Sequence, residues 1–189
     1  MKVSREQMQV NRGLILDAAS ALFREKGFDA VSVAEVMKAA GFTHGGFYGH
    51  FQSKDDLIVQ TIAHIFGRGQ EVGRTPPDLD AYLDAYLSPH HRDNSATGCP
   101  TAALVADVGR QGPEARQAMT DGFRSQIQRI ADAISKTDPG AARHEAVGTW
   151  SALVGALLLS RTIEDPALSR QVLDDTRAWI SEQNPNRVN

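Results

Sequence analysis

Residues 32–58, which read SVAEVMKAAGFTHGGFYGHFQSKDDLI, constrain the fold of this chain more than any other stretch. Ser32 and Glu35 have the S-x-x-E spacing of a capping box, in which the serine caps a helix start and the glutamate reaches back to it. Apolar residues then recur at helical spacing as far as Ala40, and Gly41 is placed to end that helix. The pattern predicts a short helix followed by a tight glycine turn.

Two further helices are predicted directly after this turn. Thr43 is placed to cap a short helix over residues 45–51. Ser53 and Asp56 repeat the capping pattern and predict a helix that begins at Lys54. A helix, a turn that contains glycine and a second helix form a helix-turn-helix, whose second helix enters the major groove of DNA.

The segment 12–58 resembles, without a gap, the DNA-binding domain of TetR-family transcriptional regulators. The resemblance rests on the patterns AAxxLFxExGF and AAGxTxGGFYxHF and on the helix start SKDDL. It implies a helix-turn-helix DNA-binding domain over residues 1–58 and a helical domain over 59–189 that binds an effector and forms a homodimer. The function that follows is a ligand-responsive repressor, released from a pseudo-palindromic operator in double-stranded DNA by an unknown small molecule.

The composition favours an all-α fold. Hydrophobic residues make up 41% of the 189 residues, and they recur mostly at spacings of three and four rather than in alternation. Breaks at Gly67–Asp78, Pro89–Gly98 and Asp138–Gly140 help to divide the chain into about nine helices. We therefore predict a three-helix DNA-binding domain followed by a larger helical domain.

The charge distribution limits the kind of nucleic-acid partner. The whole chain carries a formal net charge of −3, whereas residues 1–58 hold seven basic and seven acidic residues and are neutral. A neutral DNA-binding domain on an acidic body fits a protein that touches few phosphates per subunit, and it does not fit one that wraps DNA. Arg5 and Arg12 are candidates for an arm that reaches the DNA backbone or the minor groove.

The candidate DNA-binding residues follow from the geometry of a recognition helix. Its N-terminal residues face base edges, and flanking groups grip phosphates. Phe47 and Phe51 lie four residues apart and are expected to face the domain core, which leaves Tyr48 on the opposite face. With the positions that the resemblance supports, the candidates are Ser32, Thr43, His44, Gly45, Tyr48, His50 and Lys54.

The last two long helices carry the candidate dimer interface. In TetR-like proteins the corresponding helices pair with those of a second subunit as a four-helix bundle, and Gly148 and Gly155 would permit close approach. The alternative is that the apolar residues of these helices build the core of one subunit. The candidate interface residues are Val154, Leu157, Leu158, Leu168 and Trp179.

An effector pocket is expected among the helices from Asp78 to Lys136. Aromatic, methionine and leucine side chains in this region would line an apolar cavity, although the same residue types also build plain cores. The candidate lining residues are Tyr82, Tyr86, Cys99, Leu104, Met119, Phe123 and Trp150.

Cys99 offers an alternative mode of regulation. It precedes Pro100, a good first helical residue, so its thiol is expected near a helix N-terminus that stabilises the thiolate. His90, His91 and Arg92 lie nearby in sequence and could add positive charge. Some TetR-like regulators that sense electrophiles or oxidants carry a Gly-Cys at a comparable helix start. The competing interpretation is a small buried hydrophobic residue.

Other classes of protein receive little support from the sequence. No P-loop, G-x-S-x-G or H-E-x-x-H motif occurs, so we expect neither an enzyme nor a cofactor. The spacing of His90, His91 and Cys99 matches no usual metal site, and no metal is predicted. A helical adaptor that binds only protein is a remote alternative. No signal peptide or membrane span is expected, and the single cysteine fits the cytoplasm.

Overall fold

The computed structural model describes residues 4–72, 79–134 and 138–183 of the chain. These residues form ten helices and no strand, which confirms the predicted all-α fold. A 3₁₀ helix spans His44–Gly49. The nine α-helices are α1 (Arg5–Lys26), α2 (Val33–Ala39), α3 (Lys54–Val72), α4 (Leu79–Tyr86), α5 (Pro89–Asp93), α6 (Pro100–Val108), α7 (Pro113–Ile134), α8 (Pro139–Thr162) and α9 (Pro166–Glu182).

The N-terminal helices pack around aromatic side chains. Phe23 and Phe28 meet edge to face with ring centroids 5.2 Å apart, and Phe47 stacks on Phe51 at 5.6 Å. All four rings are buried, so the prediction that Phe47 and Phe51 face the core is confirmed. Gly41 has a φ of +82°, a left-handed conformation that favours glycine and lets the chain turn sharply after α2.

This core continues into the C-terminal helices without a break. Ile62 and Phe66 of α3, Leu104 of α6 and Met119 of α7 belong to the same buried cluster as Phe23. Helix α3 crosses the predicted boundary between residues 58 and 59. The division into 1–58 and 59–189 stays a prediction, and the two parts share one continuous core.

Two hydrogen bonds tie α6 to α1, one at each end of α6. The Arg24 Nη1 donates to the Gly98 carbonyl at 2.9 Å, just before α6 begins. The Phe28 N–H donates to Asp107 Oδ2 at 3.2 Å, near the end of α6. Gly27 has a φ of +80°, and a Cβ there would lie 2.6 Å from Asp107 Oδ2, so this contact requires glycine.

The remaining helices enclose two further cores. One lies among α4, α6, α8 and α9, and the other lies between α7 and α8, where the Phe123 and Trp150 rings meet edge to face at 5.0 Å. The larger of the two contains Leu79, Leu83, Tyr86, Leu87, Ala102, Leu153, Ala156, Leu157, Leu173 and Ile180.

Two predicted breaks are wrong because helices begin inside them. The predicted loop Pro89–Gly98 opens with α5, whose N-cap Ser88 accepts the His91 N–H at 3.1 Å. The predicted break Asp138–Gly140 contains the start of α8, where the Asp138 side chain accepts the Ala141 N–H. In both places a capping residue precedes a proline, which fits the first helical position because its missing N–H is not needed there.

Two other helices differ from their predicted limits. The break predicted from Gly67 begins later because α3 extends to Val72, and residues 73–78 of that break lie outside the described residues. A glycine inside a helix costs only about 1 kcal/mol, so Gly67 does not by itself end α3. The recognition helix predicted over residues 45–51 is the 3₁₀ helix His44–Gly49, a tighter form that suits a short piece rich in glycine.

Candidate DNA-binding surface and effector cavity

The 3₁₀ helix anchors one face in the core and exposes the other. Phe47 is buried, whereas Tyr48 keeps 73% of its surface exposed. Thr43, His44 and Gly45 are exposed as well, and a Cβ built on Gly45 meets nothing within 4 Å. Four of the candidate DNA-binding residues are therefore brought together on one short exposed element.

Ser32 and Lys54 lie at the starts of the helices on either side of this element. The Ser32 Oγ accepts the Glu35 N–H at 3.1 Å, and the Ser53 Oγ accepts the Asp56 N–H at 3.0 Å, so both predicted serine caps form. A hydroxyl that accepts a capping bond still has its own proton to donate to a phosphate oxygen. Lys54, the first residue of α3, is half-buried. We call these two residues and Thr43, His44, Gly45, Tyr48 and His50 the recognition surface.

Arg12 has a role within the protein that the sequence pattern did not indicate. Its guanidinium donates to the His50 carbonyl and lies 4.6 Å from the centroid of the Phe51 ring. Partial burial, and then the charge of Arg12, lower the pKa of His50. In the free protein, these effects favour the neutral form of His50 near pH 7. The 38 positions between Arg12 and His50 hide this pair from sequence reasoning.

A cavity of about 510 Å³ lies where α1, α3, α4, α5, α7 and α8 approach the start of α6 and the segment before it. Tyr82, Tyr86, Cys99 and Trp150 line it, as the sequence predicted. The lining also includes polar residues that were not among the predicted lining, namely Arg24, His90, His91, Asn94, Thr97, Thr101, Gln126 and Arg129.

Three predicted pocket residues are not among those that line this cavity. Leu104 and Met119 are buried in the core shared with the DNA-binding helices. Phe123 packs instead against the Trp150 ring and the core between α7 and α8. The prediction was wrong for these residues because residue type does not reveal which side of a helix faces a cavity.

His91 fixes the segment that carries Cys99. Its Nε2 accepts the Cys99 N–H at 2.8 Å, so its Nδ1 carries the proton and donates to the Tyr86 carbonyl at 2.7 Å. Burial, followed by the nearby Arg161 and His90, lowers the pKa of His91, although its bond to Tyr86 opposes this. The expectation that His91 adds positive charge beside Cys99 is wrong. One ring nitrogen accepts a hydrogen bond and the other donates one, so the imidazole is neutral.

The candidate dimer residues divide into buried and exposed sets. Leu157 is fully buried in a subunit core, so its assignment to an interface is wrong, and Val154 is partly buried. Leu158, Leu168 and Trp179 are exposed, as are the unpredicted Val147 and Leu159. Residues eleven positions apart complete about three helical turns, so Val147 shares a face of α8 with Leu158, and Leu168 shares a face of α9 with Trp179.

Similarity to known proteins decides the family. Residues 15–61 match the family model described as bacterial regulatory proteins of the tetR family. Residues 78–174, about half of the chain, match the model described as the C-terminal domain of LmrA/YxaF-like transcriptional regulators. The chain belongs to the TetR family. It is a helix-turn-helix transcriptional regulator, and members of this family bind operator DNA and act as dimers.

Relatives of this TetR-family regulator match along most of its length. The HTH-type transcriptional repressor Rv1474c of Mycobacterium tuberculosis is 38% identical over 134 residues, which cover 67% of this chain and 72% of that protein. The uncharacterized HTH-type regulator Rv0196 of the same species is 28% identical over 173 residues, covering 84% and 88% of the two chains. The crystal structure of reduced Escherichia coli NemR has the same fold, with a TM-score of 0.75, 23% identity and coverage of 92% and 97%.

Two negative observations apply to the described part of this TetR-family chain. No helix there is long and apolar enough to cross a membrane. No three His, Cys, Asp or Glu side chains come together there in a group that could hold a metal ion.

Proposed function

We propose that this TetR-family regulator is a cytoplasmic repressor that binds a pseudo-palindromic operator as a homodimer and leaves it when a small molecule enters the 510 Å³ cavity. The observation that carries the proposal is the recognition surface. Its exposed residues Thr43, His44 and Tyr48 stand on an element whose other face is fixed by Phe47 in the core. A rigid element that exposes polar groups is what direct reading of a major groove needs.

The contacts of α6 support a route from the cavity to the DNA. Arg24, on α1, reaches the cavity wall and bonds to Gly98, and Asp107 at the far end of α6 bonds to Phe28, which follows α1. An effector that shifts the segment before α6 would therefore move α1 as well. In the proposed dimer this motion changes the separation of the two recognition surfaces and removes the match to the operator half-sites.

Substitutions in the recognition surface are expected to separate phosphate contacts from base reading. Tyr48→Ala and Lys54→Ala should weaken binding to all DNA sequences and make affinity less dependent on salt, because each removes a phosphate contact. His44→Ala should instead change base preference at one or two operator positions. Fluorescence anisotropy with the protein's own promoter region, at several salt concentrations and with permuted half-sites, measures both effects.

The matched control for these variants is Arg124→Ala, which truncates an exposed charged side chain on α7, paired with Asp121 and away from the recognition surface. With no effector present it should keep the affinity and the salt dependence of the natural chain. Unchanged operator affinity and specificity in all three recognition-surface variants would reject the assignment.

A second candidate mode of regulation rests on the position of Cys99. This residue is the N-cap of α6, is half-buried and lines the cavity beside Tyr86. A compound that alkylates its thiol would place new bulk where the cavity meets α6. Because the chain has one cysteine, N-ethylmaleimide should add one adduct per chain, seen by mass spectrometry, and should release operator DNA. Cys99→Ser should bind DNA and ignore the reagent, and alkylation without release would exclude this mode.

A further inference from the structure

The charged side chains that line the cavity are all basic. Arg24 and Arg129 contribute guanidinium groups, and no Asp or Glu is among the described residues of the lining. Arg129 donates to the Gln126 side-chain oxygen. A cavity wall with cationic groups and no carboxylate has an electrostatic preference for a negative ligand.

Arg24 is the more informative of the two arginines. All three of its hydrogen bonds go to neutral oxygens: the Ser20 carbonyl at 3.0 Å, the Ser20 hydroxyl at 2.9 Å and the Gly98 carbonyl at 2.9 Å. Burial lowers the pKa of Arg24, although a guanidinium stays charged at any physiological pH. An anion that binds beside this half-buried guanidinium would offset a positive charge that its neutral acceptors leave uncompensated.

Two tyrosine hydroxyls add hydrogen-bond donors to this wall. Tyr86 is only 6% exposed, and its hydroxyl has no nitrogen or oxygen partner within the described residues; the group beside it is the Cys99 thiol, a weak acceptor. The Tyr82 hydroxyl accepts from Gln126 Nε2 at 3.0 Å and keeps its own proton to donate. Burial, and then the nearby Cys99, raise the pKa of both hydroxyls, so both remain protonated donors. A buried hydroxyl that faces only a weak sulfur acceptor is poorly satisfied, and an oxygen acceptor on a ligand would relieve that cost.

We propose that the cavity takes a small organic anion, a carboxylate on an apolar body, whose oxygens accept hydrogen bonds from Arg24 and Tyr86. The inference rests on the proposed function, since it names the chemical class of the effector. Ile65, Phe66 and Trp150 form the apolar part of the wall and would pack on the ligand's body.

A bound anion would also act on the DNA-binding helices through Arg24. A carboxylate is a stronger acceptor for a guanidinium than a peptide carbonyl. An anion beside Arg24 therefore competes with the Gly98 carbonyl for the same donors. Because Arg24 belongs to α1 and Gly98 precedes α6, the exchange releases one of the two bonds that tie α6 to α1. Arg24 is then both the group that recognises the anion and the group that transmits its presence.

The test compares acids with neutral molecules of the same shape. Naphthalene-2-carboxylate, 4-phenylbutyrate and octanoate, each paired with its primary amide, are titrated into the full-length protein by isothermal calorimetry. At least one acid should bind about 10-fold to 100-fold more tightly than its amide, the range expected for a charge-assisted contact. If no acid binds more tightly than its amide, including the case in which none binds at all, the proposal is overturned.

Variants assign the preference to its residues. Arg24→Gln should bring the acid and amide affinities to within about 3-fold of each other, while amide binding persists. Arg124→Gln is the matched control, because it removes the same charge from an exposed residue paired with Asp121 and should keep the preference. Tyr86→Phe should weaken acid binding and serves as a second test if Arg24→Gln does not fold. An undiminished acid preference in both Arg24→Gln and Tyr86→Phe would also overturn the proposal.

Operator binding distinguishes failure of this inference from failure of the proposed function. If the protein binds its promoter DNA and amides release it as well as acids, the effector is not selected as an anion, but the repressor function stands. If the protein binds no promoter DNA, the repressor function fails, whereas the comparison of acids with amides still reports on the cavity.

Discussion

A variant that carries both Leu159→Glu and Trp179→Glu is expected to be a monomer and to lose operator binding. Both side chains, on α8 and α9, are at least half exposed in the single subunit, so the new carboxylates would be solvated in a monomer. In the proposed dimer they would instead be buried against apolar surface. Linking two DNA-binding domains in a dimer raises the affinity for a two-half-site operator by about 100-fold to 10,000-fold, and a monomer lacks this increase. Light scattering should give the mass of one 20.5 kDa chain, and a gel shift should show the loss of affinity.

The control for this variant is Val10→Glu, which places the same charge on an exposed apolar residue of α1. It should remain dimeric. Leu157 is unsuited to the test because it is fully buried, and a charge there would unfold the subunit. If the double variant is folded and still dimeric, the interface lies on another surface.

Gly122→Ala is expected to destabilise the fold by about 1–3 kcal/mol, the usual cost of overpacking a core. Gly122 lies on α7, where a Cβ would come within 2.3 Å of the Phe66 ring on α3. The ring or the helix must move, and the melting temperature should fall by roughly 2–12 °C in thermal unfolding followed by circular dichroism. Because Phe66 also lines the cavity, displacement of its ring should change the affinity for a ligand as well.

Gly13→Ala provides the matched comparison for this prediction. It makes the same change within the long helix α1, where an added Cβ meets nothing within 4 Å. Alanine should stabilise that helix by about 0.5–1 kcal/mol because glycine loses more backbone entropy on folding. Equal stabilities of the two variants would show that α3 and α7 are not as closely packed at Gly122 as the structure indicates.

The helix-turn-helix was predictable because its signals are local. Ser32 and Ser53 cap helices through contacts three residues away, and Gly41 turns the chain by its own left-handed conformation. Such features depend on a few neighbouring residues, so sequence spacing alone determines them. The same reasoning placed Phe47 and Phe51 in the core.

The cavity and the exposed apolar residues of α8 and α9 were less predictable because they depend on tertiary packing. Leu157 and Leu159 are two residues apart on α8, yet one is fully buried and the other is 57% exposed. Arg24 meets Gly98 across 74 positions of sequence, and no local pattern indicates that contact. Residue type predicts an apolar region, whereas the direction in which each side chain points is decided by which helices meet.

Nuclease footprinting of the promoter region with the natural protein tests whether a dimer binds DNA through two recognition surfaces. A dimer that reads DNA through two recognition surfaces should protect two half-sites related by a pseudo-palindrome, with centres about 10 base pairs apart or at a multiple of that spacing. Tyr48→Ala at the same concentration should remove protection from both half-sites together. Protection of a single unpaired site, or no protection at saturating protein, would show that the protein does not bind DNA as a dimer through two recognition surfaces.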